Sequence, residues 1–192
     1  MPKSYSSSQS KALNLMSAAI LTAIGILIPM VMPIRIVIGP ASYTLGSHIP
    51  IIMAMFISPM VAGAVAIGTT LGFLMAAFPI VIVLRAFSHI LFAFLGAWVL
   101  HRTNGLFKNV VKRQLFSLMI NVIHALAEVV VVFILTGLGQ DNLAPSFWYV
   151  LLVLVGAGTV IHGMIDFELG YQFTRMLASR TKLNFTNFDK NV

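Results

Sequence analysis

The feature that most constrains this chain is a series of apolar runs, most of them long enough to cross a lipid bilayer as helices. Hydrophobic residues make up 59% of the 192 residues and charged residues only 9%, whereas a soluble domain carries about 25% charged residues. A helix that spans the hydrocarbon core needs roughly 20 apolar residues. We therefore predict an all-α integral membrane protein with six transmembrane helices in a single compact bundle.

Prolines and polar turns set the limits of the six predicted spans, which cover residues 12–31, 48–58, 60–77, 80–100, 115–138 and 147–173. The second run is short and crosses only if it borrows flanking residues. Residues 32–47 are partly apolar but are interrupted by Pro33 and Pro40, and a loop of this kind is expected to pack over the bundle as an external lid. The predicted organisation is a cytoplasmic leader (1–11), a six-helix membrane domain (12–177) and a cytoplasmic tail (178–192).

The positive charges predict the orientation of the bundle. With six spans, both termini and the second and fourth loops share one side of the membrane. That side carries ten of the twelve lysines and arginines, namely Lys3, Lys11, Arg102, Lys108, Lys112, Arg113, Arg175, Arg180, Lys182 and Lys190. Short loops rich in lysine and arginine stay in the cytoplasm. We therefore predict a bacterial cell-membrane protein with both termini cytoplasmic. The net charge of +7 is accounted for by topology, and no nucleic-acid partner is expected.

Ionisable side chains inside the predicted spans need a specific reason to be there. A charge in the middle of a span costs at least about 2.5–3.5 kcal/mol. The fourth span carries Arg85 with His89 four residues on, and the fifth carries Asn121, His124 and Glu128 on one helical face. The sixth span carries His162 and Asp166, again four residues apart. Three consecutive helices thus each turn a polar stripe inward, beneath the predicted lid.

Two interpretations of this polar stripe remain open. Arg85 and Glu128 could form a structural ion pair between two helices. Alternatively, the planar fork of guanidinium donors could hold a carboxylate that enters from outside. His89 and His124 could contact that ligand or could be satisfied core histidines.

Other chemistry receives little support from the sequence. The His-x-x-x-Glu and His-x-x-x-Asp pairs at 124–128 and 162–166 have helical metal-ligand spacing, but matches of two residues are weak, so we expect neither a metal nor a cofactor in the chain. There is no cysteine, no nucleotide-binding P-loop and no hydrolase motif. We therefore expect a protein that is not an enzyme.

Small residues form a second pattern. Ala19 and Ala23 lie four apart in the first span, close to Gly25, and Gly68 and Gly72 lie four apart in the third. Such spacing allows helix backbones to approach closely in lipid. Internal packing explains either pair, and for Ala19 and Ala23 a docking face for another membrane protein is an equal alternative.

Two stretches of the sequence resemble a known family. They are SAAILTAIGILIPM in the first span and GPASYTLGSHIPIIMAMFISPMVAGAVAIGTTLGFLMAAFPIVIVLRAFSHILFAFLGA, which runs from the lid into the fourth span. With the size and the six predicted helices, they resemble the substrate-binding S components of energy-coupling factor (ECF) vitamin transporters. The segment around LGSHIPI and VLRAFSHI is most similar to niacin-type S components, with pantothenate-type S components close behind.

The resemblance implies a role for each part of the chain. Ala19 and Ala23 match the alanine motif that docks on the transmembrane coupling subunit, and two ATPase subunits supply the energy. The lid caps a ligand held near the outer face, by a set that comprises Tyr43, Arg85, His89, Asn121, His124, Glu128 and His162. The implied function is high-affinity capture of a small carboxylate vitamin, nicotinate before pantothenate, for ATP-driven uptake. The alternative from another class is a small channel or membrane assembly protein without a small-molecule ligand.

Overall fold

The computed structural model describes residues 7–138, 143–180 and 185–192, and these residues form a helical bundle with one small hairpin. The elements in chain order are α1 (Ser7–Val31), β1 (Arg35–Ile38), β2 (Ala41–Thr44), α2 (Ile49–Met55), α3 (Pro59–Met75), α4 (Ile80–Arg102), α5 (Val110–Thr136), α6 (Pro145–Trp148), a π-helical segment (Tyr149–Ala157), α7 (Gly158–Arg180) and α8 (Thr186–Asn191). The prediction of a helical membrane protein is confirmed, and the hairpin is an addition that the sequence did not predict.

Four of the described helices are long and apolar enough to cross a membrane: Ser8–Val31, Ile80–Arg102, Val110–Thr136 and Pro145–Arg180. The helix Pro59–Met75 is apolar but shorter. The second predicted span differs most, because only seven of its residues form the helix α2, which is about 10 Å long at 1.5 Å per residue. Pro50 lies in its first turn, and Ser58 and Pro59 already begin α3. Six full-length spans are therefore not what the helix lengths show.

The other boundaries differ from the predicted spans mainly by extension. Helix α5 begins at Val110 rather than at Leu115, because the side chain of Asn109 accepts hydrogen bonds from the backbone N–H groups of Val111 and Lys112 and so caps the helix. The last predicted span belongs to one continuous helical stretch, Pro145–Arg180, with the π-helical segment near its start. The charge pattern also predicts that the loop before it, 139–146, faces outside, and residues 139–142 of that loop lie outside the described residues. The same holds for residues 1–6 of the leader and 181–184 of the tail.

The predicted lid is a β-hairpin laid over one end of the bundle. Strands β1 and β2 are antiparallel, with Ile38 opposite Ala41, so that Gly39 and Pro40 alone make the turn. Gly39 has φ of 57°, and a positive φ in the first turn position is characteristic of two-residue hairpin turns. Strand β1 is exposed throughout, whereas Ala41 and Thr44 of β2 are buried. The hairpin therefore presents β2 to the protein interior.

Glycines bring α1 and α3 into close contact. A Cβ atom added to Gly72 would lie 2.6 Å from the Cα of Ile26, and one added to Gly68 would lie 2.2 Å from the side chain of Thr22. Gly25 faces Thr69 in the same way, at 2.2 Å. These small residues therefore serve internal packing, which was one of the two interpretations of the pattern. Ala19 and Ala23, in contrast, are exposed on the outer face of α1.

The end of the bundle opposite the lid is closed by the C-terminal segment. Residues 185–192, which we assigned to a cytoplasmic tail, contain α8 and return to the bundle. The backbone N–H and side-chain amide of Asn187 donate to the carbonyls of Phe56 and Met55, 2.9 and 3.2 Å away, and Asn191 donates to the Leu100 carbonyl at 2.9 Å. Phe188 packs edge-on against Phe56. The bundle thus has a polar end beneath the lid and an aromatic end above α8.

Candidate functional site

A small cavity lies directly beneath the lid, where three of the four long apolar helices meet the hairpin. Its volume is about 20 Å³, room for roughly one water molecule. The lining combines polar and apolar side chains, namely Ser42, Thr44, Ser47, His48, Phe73, Ile82, Arg85, Ala86, His89, His124, Glu128, Thr159 and His162. We call this cavity the chamber. Its polar walls are unusual in a bundle whose other core is apolar.

Glu128 is the central acceptor of the chamber. Its Oε2 atom accepts from Arg85 Nη2 and from the Thr159 hydroxyl, each at 2.6 Å, and its Oε1 lies 3.2 Å from His89 Nε2. Both Arg85 and Glu128 are 3% exposed. A buried ion pair of this kind is tolerated only when further hydrogen bonds satisfy its atoms. The structure therefore shows the buried Arg85–Glu128 ion pair that the first interpretation predicts. The pair lies in the lining of a cavity, and a cavity is what the second interpretation, ligand binding, requires.

Arg85 also connects the chamber to the lid. Its Nη1 donates to the backbone carbonyl of Pro40, 2.5 Å away, in the turn of the hairpin. The same guanidinium thus bonds α5 through Glu128 and the lid through Pro40. A change in the position of Arg85 would therefore be transmitted to the lid.

Asp166 holds the other end of the hairpin. It is fully buried and accepts from the backbone N–H of Gly46 at 2.9 Å and of His48 at 3.1 Å. Its Oδ2 atom lies 3.0 Å from His48 Nδ1 and 3.5 Å from His162 Nε2. Helix α7 therefore fixes the segment that leads from the lid into α2. The sequence placed Asp166 on the polar face of its helix but assigned it no partner.

Tyr43 fastens the middle of the lid to the last long helix. Its hydroxyl donates to the Leu154 carbonyl in the π-helical segment, and its ring packs edge-on against His162, with 5.7 Å between ring centroids. Gly158 makes this approach possible, since a Cβ atom there would lie 2.1 Å from the tyrosine oxygen. Burial raises the pKa of Tyr43 above its usual 10.0, so the hydroxyl stays neutral and remains a donor.

Four of the five histidines in the chain gather around the chamber. The ring of His48 lies 4.8 Å from those of His89 and His124 and 5.0 Å from that of His162, and His89 and His124 are 4.6 Å apart, all between centroids. Every one of these pairs is edge-on. The start of α2, α4, α5 and α7 each contribute one ring, so the cluster exists only in the folded bundle.

Several buried polar atoms of the chamber have no hydrogen-bond partner within the part of the chain that the structure describes. They are the Thr44 hydroxyl, Arg85 Nε, His89 Nδ1 and both ring nitrogens of His124. His124 Nε2 lies 3.3 Å from Glu128 Oε1, but the two are not aligned for a hydrogen bond. Buried polar groups are nearly always paired. Their concentration on the lining of one cavity points to a polar ligand.

The predicted site residues mostly converge. The structure brings Arg85, His89, His124, Glu128 and His162 together in the lining, and Tyr43 stands beside His162. Asn121 is not among the lining residues. Its side chain donates to the Ser117 carbonyl at 2.8 Å and packs against Gly163, where an added Cβ would lie 1.9 Å from Asn121 Oδ1.

The position of Asn121 has a simple geometric reason. It precedes Glu128 by two helical turns, a rise of about 10 Å, so it shares the face of Glu128 but not its depth.

Eight of the thirteen lining residues were not singled out from the sequence, and two of these eight contact the buried carboxylates. These two are His48, which directly follows the lid and precedes α2, and Thr159, which lies in the first turn of α7. The available signal for His48 was a polar residue directly before an apolar helix, and threonine in an apolar span carries almost no signal because its hydroxyl can bond its own backbone.

The fold and the chamber define a helical membrane protein that encloses a lidded, charged cavity near one end of its bundle. A curated protein, the niacin transporter NiaX of Lactococcus lactis subsp. cremoris (strain MG1363), is 39% identical to this chain over 184 residues, covering 96% of this chain and 83% of the relative. The chain belongs to the family of the niacin transporter NiaX, which confirms the niacin-type resemblance. No protein-family model and no solved structure matches it.

Proposed function

We propose that the protein is the high-affinity S component of an ECF-type importer and that it captures nicotinate from outside the cell. The observation that carries the proposal is the lidded chamber with unpartnered polar atoms, in a chain 39% identical to a niacin transporter. Partner subunits hydrolyse ATP in this proposal, and the chain itself is not an enzyme.

The polar groups of the chamber suit a small aromatic carboxylate. A carboxylate can take over part of the fork of Arg85, whose charge-assisted bonds are strong and directional. His89 and His124 are placed to bond its remaining polar atoms, and Tyr43 and His162 close the side beneath the lid. Asn121 supports this set by packing, one layer deeper.

Binding requires the chamber to expand. Its volume of about 20 Å³ is far below the roughly 300–1,000 Å³ of ordinary small-molecule sites. The hairpin is the element that we propose to move, and its polar contacts with the bundle are made through the side chains of Arg85, Asp166 and Tyr43. We propose that nicotinate enters when the lid lifts and that it competes with Glu128 for Arg85.

The vitamin is tested by thermal unfolding of the purified full-length protein with nicotinate, nicotinamide and pantothenate, each alone. A ligand at 100 times its dissociation constant stabilises the folded state by about 2.7 kcal/mol. We expect nicotinate to raise the melting temperature and its uncharged amide to have little effect. Stabilisation by pantothenate alone would make pantothenate, and not nicotinate, the proposed ligand. No stabilisation by any of the three would favour a channel or a membrane assembly protein without a small-molecule ligand.

We also propose that all six apolar segments cross the membrane, with both termini cytoplasmic. Helix α2 is short, but it is buried on all sides, and short or irregular segments are tolerated at membrane depth when protein surrounds them. Its beginning, at His48, lines the chamber, and its end is capped by Asn187 of the C-terminal segment. The lid above and α8 below thus supplement the length that α2 lacks.

The coupling partner is assigned to the outer face of α1. Ala19 and Ala23 are exposed there, and small residues allow close helix contacts in lipid. Changing both to tryptophan should abolish capture of the coupling and ATPase subunits from native membranes and leave nicotinate binding unchanged. Ala64→Trp, at an exposed alanine of α3, is the control and should capture the subunits normally. Undiminished capture by the Ala19/Ala23 variant would reject this docking face.

A further inference from the structure

Three histidines of the chamber are arranged as ligands for one metal ion. One ring nitrogen from each of His48, His89 and His124 lies within 4.8 Å of the other two, and all three residues are buried. They come from the start of α2, from α4 and from α5. The sequence did not predict this set of three. Its helical spacings pair each histidine of α5 and α7 with a carboxylate on the same helix, and His48 lies outside such a pair because it precedes α2.

Two carboxylates orient these rings in the way that metal sites require. Asp166 Oδ2 lies 3.0 Å from His48 Nδ1, and Glu128 Oε1 lies 3.2 Å from His89 Nε2. A ring that donates N–H to a carboxylate keeps the lone pair on its other nitrogen, and metal-binding histidines are braced in this manner. The nitrogens left over are His48 Nε2 and His89 Nδ1, and the latter has no partner among the described residues. His124 has no hydrogen bond on either nitrogen within the described part of the chain.

The ligand type selects the class of metal. Neutral imidazoles suit zinc, copper, nickel and cobalt, whereas magnesium and calcium prefer oxygen ligands. Bonds of about 2.0–2.1 Å in a tetrahedral site place ligand nitrogens about 3.4 Å apart. One ring nitrogen of each histidine lies within 4.8 Å of the others, so metal binding requires the three rings to draw closer together.

The charge of the chamber supplies the reason for a cation. Arg85 in the lining contributes one positive charge, and Glu128 in the lining and Asp166 behind it contribute one negative charge each, so the chamber and its immediate surroundings carry −1 when the imidazoles are uncharged. A bound nicotinate ion would change the net charge to −2, and an uncompensated negative charge in a buried site is unfavourable. A divalent cation brings the empty chamber to +1 and the occupied chamber to zero.

We propose that His48, His89 and His124 bind one divalent transition-metal ion, and that its open coordination position receives the carboxylate of the vitamin. The metal site rests on geometry alone, and its role toward the vitamin rests on the proposed function. Arg85 then shares its donors between Glu128 and the carboxylate of the vitamin, in line with the competition proposed above.

The metal is tested by titrating Co²⁺ into the full-length protein, purified without a polyhistidine tag and stripped with a chelator. We expect one equivalent of bound cobalt with visible absorption bands of a site of low coordination number. His48→Ala and His124→Phe should lose at least tenfold in affinity, and His101→Ala, outside the chamber, should bind as the wild type does. Unfolding curves of the stripped variants show whether they are folded. Absence of bound cobalt in the wild type, or its full retention in both folded variants, overturns the site.

A second titration separates the metal from the vitamin. Nicotinate is titrated into stripped and cobalt-loaded protein, and we expect the loaded protein to bind at least tenfold more tightly. Equal affinity for both forms rejects the role of the metal and leaves nicotinate capture standing. Cobalt binding by a protein that binds nicotinate in neither form supports the metal site and rejects the proposed function.

Discussion

Replacing Arg85 with alanine should lower the affinity for nicotinate by more than tenfold. The guanidinium is the only positively charged side chain among the described residues that line the chamber, and a hydrogen bond to a charged group contributes about 1.5–3 kcal/mol. Its second contact, to the Pro40 carbonyl in the lid, is lost as well, so the closed form of the lid should weaken together with the ligand contact. Calorimetric titration of nicotinate into the purified variant measures the loss.

The alanine variant leaves Glu128 buried without its cation, so a second variant is needed to separate loss of binding from loss of stability. Removing one member of a buried ion pair costs about 3–5 kcal/mol of stability. In the double variant Arg85→Met with Glu128→Gln no charge is left uncompensated, so it should recover most of the stability and none of the nicotinate affinity. Arg113→Ala serves as the control, since Arg113 pairs with Glu168 away from the chamber. Affinity within about threefold of the wild type in both Arg85 variants would show that Arg85 does not hold the vitamin.

Replacing Asp166 with alanine should detach the lid and lower the free energy of unfolding by about 3 kcal/mol or more. The variant leaves two backbone N–H groups, of Gly46 and His48, and the His48 ring without their acceptor. Each buried group left unsatisfied costs about 1–3 kcal/mol. Chemical unfolding in detergent measures the stability, and limited proteolysis should show new cleavage between residues 40 and 48.

The matched control for Asp166 lies two residues further along the same helix. Glu168 is a partly exposed carboxylate that bonds Arg113 and Gln114, and exposed pairs contribute about 0–1 kcal/mol. Glu168→Ala should therefore leave both the lid and nicotinate binding intact. If the two alanine variants were equally stable and equally resistant to protease in the lid, Asp166 would not be the anchor of the hairpin.

Much of the fold could be predicted because the bilayer imposes its own length on helices. The long apolar runs gave α1, α4 and α5 with small errors at their ends. The error at α2 has a physical cause. A helix that is enclosed by other helices and covered at both ends does not need the length of a helix that faces lipid. Amino-acid composition does not distinguish an enclosed helix from a lipid-facing one.

The charged residues of the chamber could be predicted because a charge buried in a membrane span is costly and so indicates a specific role. That cost selected Arg85 and Glu128 without any structural information. It could not select His48, since a histidine at the end of a loop is ordinary until the hairpin folds over the bundle. It also could not separate Asn121 from Glu128, because a shared helical face does not reveal depth along the helix.

The most direct test of the central claim, that nicotinate binds beneath the lid, is hydrogen–deuterium exchange of the full-length protein alone, with nicotinate and with nicotinamide. Enclosure in the chamber predicts slower amide exchange in residues 35–48 with nicotinate and no such change with nicotinamide. Residues 100–107, held by the C-terminal segment at the opposite end, should be unaffected. Unchanged exchange in the lid at saturating nicotinate, or protection confined to residues 100–107, would contradict the account.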